Sequence, residues 1–550
     1  MLIIHKYSSI HGSTVENFLF SVIIWILTHI PLPILKLILL LFDVFVYWFG
    51  SIYDKFKNSP DRILLYKLNH STSWSEFSKT AFDLDNYFNN DIWKNNLVSS
   101  KYDYVLIQER LHDLRNARLS NNFQHMLSLL RAGMLRNLGG ISNKSLYNRT
   151  YIGTKSLIEQ YNKEVANCLE SLDKDPFIDN QLKLDFYHDA KTTLGATALC
   201  LHGGSLFGMG HIGVVKSLLD QNLLPNVLVG SGVGSVVGAL VGCLEKEELV
   251  EILVNLKNVM QEEGYGLKPK NCNDPIESTQ IGLKWIENIK KGVTKEMKLF
   301  IDFVLSKVGG MTFKQAHEKT GKTFNILVYP KSSKLPTLLN YLSTPYITME
   351  SAIRCSLGTG VLKDKIPTLE IKFRGDITKY SNVQCDFQPP YQVRGQSIEL
   401  KNSPYNRITE MFNVNHFVIS ISRPYLASFV SMRWRRIYNY NSLLKKLLNI
   451  INIELKHRIR MLNRFGLLNT PLRWLLVDEK SVLVDTNHIA IIPTGTRWIL
   501  WDFIDLFVQN KSVMNYWIEC GERSVWSMHS LLETRSRAEF LLDEYFQKYR

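Results

Sequence analysis

The hydrophobic pattern divides the chain into stretches of different texture. Residues 18–50 are predominantly apolar and hold only two formal charges, Lys36 and Asp43. Pro31 and Pro33 break the run into two limbs. A bilayer-spanning helix needs about 20 apolar residues, so the first limb is too short to cross and the second is marginal. Lys36 and Asp43 are seven apart and share one helical face. The pattern predicts a helical hairpin that dips into one leaflet and returns, with Trp25, Tyr47 and Trp48 at the interface. A buried core hairpin is the other reading. From residue 53 to 189, apolar positions recur at spacings of three and four, as in YDYVLIQERLHDLRNARL and FQHMLSLLRAGMLRNLGG. That spacing predicts a helical accessory region with no chemistry of its own. Gly139 and Gly140 end one of its helices.

From Thr197 the texture changes again. The order reads strand (198–201), glycine-rich turn (Gly203, Gly204, Gly208), helix (209–220), strand (226–229), sharp turn (230–234), helix (236–244). Two successive strand–turn–helix units predict an α/β fold with a parallel sheet flanked by helices and right-handed crossovers.

Composition narrows the class. The 550 residues are 45% hydrophobic, enough to bury a large core and too apolar for a disordered chain. Seven scattered cysteines include no C-x-x-C pair, which argues against a disulfide scaffold or a structural zinc site. The excess of Lys and Arg over Asp and Glu leaves +14, a charge suited to nucleic acid or an anionic membrane surface. From Arg423 onward 19 Lys and Arg face 12 Asp and Glu, so half of the excess sits in the last quarter. There the cations interleave with aromatics, at Arg433-Trp434-Arg435-Arg436, Arg473-Trp474 and Arg497-Trp498. Basic faces carrying Trp and Leu suit a phospholipid monolayer. No nucleic-acid motif accompanies them, so nucleic acid is not expected as a partner.

The glycines admit two chemistries. Gly208, Gly210 and Gly213 match a dinucleotide fingerprint. However, they fall within the predicted helix, and no acid follows at the end of the next strand. The second reading fits better. The turn Gly203-Gly204-Ser205-Leu206-Phe207-Gly208 supplies an oxyanion hole of backbone N–H groups. Gly230-Ser231-Gly232-Val233-Gly234 then has the form of a G-x-S-x-G nucleophile elbow, with Gly232 where serine belongs.

On these residues the chain resembles the patatin-like fungal triacylglycerol lipases of lipid droplets. The resemblance runs through LHGGSLFGMGHIGVVKSLL, LLPNVLVGSGVGSVVGALVGC, LPTLLNYLSTPYITMESAIRCSLGTGVL, SPYNRITEMFNVNHFVISISRPYLA and ECGERSVWSMHSLLETR, in family order. It covers essentially the whole chain. It implies a patatin-like core, a Ser–Asp dyad, and hydrolysis of triacylglycerol to diacylglycerol and fatty acid with no metal or cofactor. By position, the nucleophile falls on Gly232 and the oxyanion loop on Gly203, Gly204, Ser205 and Gly208. The aspartate step falls on Arg394, Gly395 and Gln396, where no acid stands; Asp376 and Asp386 are the nearest upstream substitutes. Phe207 replaces the family's basic residue in the oxyanion loop. The H-x-x-x-x-D pattern linked to lysophospholipid acyltransfer in some members is absent, His11 having Glu16 at that spacing.

Two functions follow from the resemblance. One is a lipase homologue inactive or impaired at the elbow, binding lipid or regulating an active lipase homologue. The other is an active acylglycerol ester hydrolase, or lysophospholipid acyltransferase, using Ser231 or Ser235. Local reading makes those serines a turn residue and a helix cap. His202 and His211 beside the glycine loop read as packed or capping residues. The expected partners are triacylglycerol and a phospholipid monolayer, at the cytosol-facing surface of lipid droplets or the endoplasmic reticulum. The expected organisation is an apolar anchor (1–52), a helical region (53–190), a lipase-like core (191–425) and a basic amphipathic region (426–550).

Overall fold

The computed structural model describes residues 60–203, 207–265, 295–330, 335–358, 367–380, 386–387, 404–422, 458, 461, 488–493 and 514–550. The apolar run at 18–50 and most of the basic positions after Arg423 lie outside the described residues, as do Gly204, Ser205 and residues 394–396. Residues 64–550 form one compact unit, and of residues 1–63 only the first turn of one helix is described. Among the described residues, no helix is long and apolar enough to cross a membrane.

Among the described residues, seven α-helices precede the sheet: α1 (Pro60–His70), α2 (Trp74–Tyr87), α3 (Asn90–Asn95), α4 (Tyr104–Leu119), α5 (Phe123–Gly133), α6 (Ser156–Lys174) and α7 (Asn180–Leu194). Side-chain caps start several of them. Asp103 accepts from the Leu106 N–H of α4, and Asn122 from the His125 N–H of α5. Their apolar faces, such as Ile107, Leu111 and Leu114 of α4, enter the main core.

The sheet follows. β1 (Ala196–His202) leads to α8 (Gly210–Asp220), β2 (Val227–Ser231), α9 (Val233–Cys243), α10 (Lys246–Val254) and α11 (Leu256–Glu262). Then come α12 (Lys295–Val308), α13 (Phe313–Thr320), β3 (Thr323–Leu327), β4 (Leu338–Leu339) and α14 (Met349–Leu357). A separate hairpin of β5 (Glu370–Phe373) and β6 (Asp376–Lys379) precedes α15 (Pro404–Phe412), β7 (Val414–Ile421) and β8 (Ile489–Ile491). Two helices end the chain, α16 (Met514–Trp526) and α17 (His529–Tyr549).

The strand order is β4-β3-β2-β1-β7-β8, parallel except where β4 runs against β3. Alternate residues of each strand face opposite layers. Leu199, Leu201 and Leu228 join the core built by α8 and α9, while Ala198, Cys200, Val227 and Val229 face Tyr405 and Ile408 of α15. The chain continues from β1 to β2 on one side and from β7 to β8 on the other. Ligands of open α/β sheets bind at the carboxyl ends of strands where the order diverges in this way.

β1, β2 and α9 are longer than the sequence pattern predicts, while α8 matches it to within one residue. β2 runs on through Gly230 and Ser231, which pair with Leu201 and His202 of β1. α9 begins at Val233, three residues early, and every one of its residues is buried. Only Gly232 remains as the turn. Close packing explains the glycines on either side. A Cβ at Gly234 would overlap the Leu201 carbonyl oxygen, and Cβ atoms at Gly238 and Gly242 would press on the Phe324 ring. In α8, a Cβ at Gly213 would overlap the Ile518 carbonyl oxygen, and one at Gly521 would overlap that of Gly210. The spacing that imitates a dinucleotide fingerprint therefore lets α8 and α16 touch backbone to backbone.

The carboxyl-terminal helices belong to the core. Trp517, Leu531 and Leu542 are buried, α16 lies along α8, and α17 lies against α6 and α7. At the amino ends of β1 and β7 a buried polar cluster ties four segments of the chain together. Arg136 pairs with Glu539 at 3.0 Å and donates to Asn415 Oδ1, Thr197 Oγ1, and the carbonyls of Gly195 and Arg535. Arg535 donates to the Ser142 carbonyl at 2.6 Å, and Glu539 accepts from the Thr197 N–H. Burial, with Arg136 and Arg535 adding to it, pushes the pKa of His416 well below the ordinary range and keeps its imidazole neutral.

Candidate active site

The site is built where β1, β2 and β7 end. Gly232 sits at the corner between β2 and α9 with φ +58° and ψ −128°, a backbone region that an L side chain enters only under strain. Its N–H donates to Ser356 Oγ at 3.0 Å, and Ser356 in turn donates to the Leu327 carbonyl at 2.7 Å. Ser356 closes α14 from below the corner, so β2, β3 and α14 fix the tip jointly. The N–H of Val233, just past the tip, has no hydrogen-bond partner among the described residues. It opens a helix with no acid in its first turn, so the positive end of the helix dipole faces the corner. In hydrolases with this corner, the N–H after the nucleophile is one oxyanion donor.

Gly203 follows β1 with φ +62°. Its N–H donates to the Ser231 carbonyl at 3.0 Å and to Ser231 Oγ at 3.3 Å, and its own carbonyl accepts from Gly234 N–H at 3.0 Å. The turn after β1 is thereby clamped to the elbow. Gly208 lies in the turn before α8 and accepts from the His211 N–H. Phe207 packs edge-on against Trp517 of α16, with ring centroids 4.9 Å apart. The glycine loop is thereby joined by an aromatic contact to the carboxyl-terminal helices.

Neither nearby serine is presented to a substrate. Ser231 is fully buried and shares a sheet face with His202. Its Oγ lies 3.2 Å from His202 Nδ1, and His202 Nε2 lies 2.7 Å from the Tyr405 hydroxyl. Ser235 is also fully buried; it sits inside α9 and donates to the Gly232 carbonyl at 2.6 Å. Asp376 begins β6 on an exposed hairpin. Asp386 precedes Phe387, which bridges to Pro330.

His211 is sealed inside the fold. Its Nε2 lies 3.2 Å from the His202 carbonyl, which can only accept, so Nε2 carries the proton and Nδ1 accepts from Ser420 at 2.8 Å. The ring thus pins the last residue of β1, at the root of the glycine loop. Burial pushes its pKa down to about 4. Because the folded value is below the unfolded 6.5, the unfolded state takes up the proton first. Stability is whole above pH 6.5 and is lost as pH falls toward 4, by about 3 kcal/mol for this group. Denaturant titrations across that window should show His211→Asn losing less stability than wild type by roughly this amount. An equal slope for both proteins contradicts the assignment.

Among the described residues, no three His, Cys, Asp or Glu side chains cluster as metal ligands. Ser356 and Tyr405 carry no spacing signal toward the glycine turns. They stand 124 and 203 residues from their partners and join the site only through the fold.

A mostly parallel sheet flanked by helices, with a glycine-clamped strand-to-helix corner at its carboxyl edge, defines a mixed α/β architecture. Residues 56–192 match a family model described as a domain of unknown function, DUF3336. The chain is 32% identical to triacylglycerol lipase ptl1 of Schizosaccharomyces pombe, over 86% of this chain and 82% of that one. It is 29% identical to triacylglycerol lipase 3 of Saccharomyces cerevisiae, over 98% of each. A patatin-like phospholipase domain-containing protein of Lodderomyces elongisporus is 26% identical, over 87% of this chain and 58% of that one. The chain belongs to the patatin-like triacylglycerol lipase family.

Proposed function

We propose that this family member serves neutral lipid metabolism without cleaving esters at its elbow. It binds acyl lipid, or regulates an active lipase homologue, at the phospholipid monolayer of lipid droplets or the cytosolic face of the endoplasmic reticulum. The carrying observation is Gly232. The corner keeps the strained backbone of a nucleophile elbow and an open Val233 N–H, yet it has no side chain to attack with. The apolar run at 18–50 and the basic aromatic stretches after Arg423 support the location. The family relation supports triacylglycerol as the lipid class.

One observation favours hydrolysis through Ser231: its hydroxyl touches an imidazole that is itself held by Tyr405. Full burial of Ser231 beneath α15 weighs against it. The deciding experiment is triolein hydrolysis by the purified full chain. Wild type and Ser231→Ala should both stay at the buffer rate, and a fluorophosphonate probe should label neither. Hydrolysis at rates typical of lipases, abolished by Ser231→Ala, would overturn the proposal in favour of the second reading.

A further inference from the structure

The β5–β6 hairpin turns through Arg374 (φ +51°) and Gly375 (φ +99°), with Phe373 paired to Asp376 across a two-residue loop. Two successive positive φ values mark the turn that matches strand twist, so the hairpin is stiff. Its base is tied down. Thr348 N–H donates to the Glu370 carbonyl at 3.0 Å, and Lys372 N–H donates to that of Tyr346 at 2.9 Å. Lys372 Nζ donates to the Gly310 carbonyl at 2.9 Å. The outer part stands in solvent, with Phe373 51%, Ile377 60%, Tyr380 39% and neighbouring Tyr346 41% exposed. Tyr346 and Phe373 meet edge to face at 5.4 Å, and the Arg374 guanidinium lies over the Phe373 ring. Arg374 and Lys379 form no ion pair among the described residues.

Phe373 and Ile377 fall on opposite faces of this ribbon, and Arg374 and Lys379 outnumber Asp376, so the tip exposes apolar side chains on both sides together with a net positive charge. Its chemistry is that of an interface. Rings and aliphatics enter the headgroup–acyl boundary while Arg and Lys meet lipid phosphates. We propose that the β5–β6 hairpin is a contact surface for anionic phospholipid. The stiff turn keeps the ordering cost of such contact low. The inference rests on the reading that the protein works at a lipid surface, and it names where the folded unit touches that surface. α14 joins the hairpin base at Thr348 to the elbow at Ser356. Its nine residues span about 13 Å, so the contact lies near the empty corner.

The test is hydrogen–deuterium exchange on the full chain with vesicles of phosphatidylcholine alone or with about 30% phosphatidylserine. Amides of residues 376–380 should exchange at least about fivefold more slowly with the anionic vesicles, the effect of about 1 kcal/mol per basic residue near the surface. The combined Phe373→Thr, Arg374→Asn, Ile377→Thr variant should lose that protection while keeping any protection of residues 18–50. Thr suits a strand and Asn tolerates positive φ, so the hairpin should persist. Unchanged exchange at 376–380 with residues 18–50 protected overturns the hairpin contact and leaves the lipid-surface reading standing. No binding of the wild type to either vesicle overturns both. Protection that grows with protein concentration in the absence of lipid overturns the hairpin contact in favour of self-association.

Discussion

Gly232→Ser is expected to create ester hydrolysis where the wild type has none and to cost stability at the same time. Removing the nucleophile of a well-studied serine hydrolase costs about 2 × 10⁶ in kcat, whereas removing only its aspartate costs about 3 × 10⁴. The ratio of those two losses, roughly 70-fold, bounds from above the gain over wild type, because in a Ser–Asp dyad the acid missing at residues 394–396 is the base itself rather than its orienting partner. The Val233 N–H, without a partner among the described residues, lies at the positive end of the α9 dipole, where a developing negative charge is favoured. The same serine must hold φ near +58°, which glycine accepts freely and other residues accept at about 1–3 kcal/mol. Triolein turnover, fluorophosphonate labelling at residue 232 and the thermal midpoint read both effects. A variant that stays inactive while folding normally would show that more than the nucleophile has been lost from the site.

Arg136→Met is expected to destabilise the fold by about 3–5 kcal/mol, because it strips the counterion from a buried carboxylate. Glu539 is 4% exposed, and its pKa is already raised by burial, with Arg136 pulling it back down. Without the guanidinium its folded value climbs further above the unfolded 4.5. A group whose folded pKa exceeds its unfolded pKa gains stability as pH falls through that interval. The deficit of the variant should thus be full at neutral pH and shrink toward pH 4.5. The part due to the lost bonds to Gly195, Thr197, Asn415 and Arg535 should persist at every pH. Denaturant unfolding at several pH values separates the two parts, and a pH-independent deficit would refute the Glu539 contribution.

These two sites differ in how far local sequence reveals them. The elbow is legible because its residue types are dictated by sterics within a few positions. Gly230 and Gly234 have no room for a Cβ, and Gly232 bends the chain. The helix boundary was not legible. Small residues at 230–235 look like a loop, yet strand pairing and burial draw them into β2 and α9. Glycine spacing also misleads at 208–213, where the pattern of a phosphate-binding turn is a helix-packing surface. The Arg136 cluster has no local signature. Its members, at 136 and 142, 197, 416, and 535 and 539, come from four segments far apart in sequence.

By itself the sequence determined the α/β order, the glycine corner and the absence of a serine at its tip, because periodicity and steric need act over short spans of chain. Only the tertiary structure decided that Ser356 braces that tip, that Ser231 and Ser235 bond inward, that α16 and α17 complete the core, and that an apolar, basic hairpin is left facing solvent. Each of these depends on which distant segments meet, and burial and hydrogen-bond satisfaction in the assembled fold settle that.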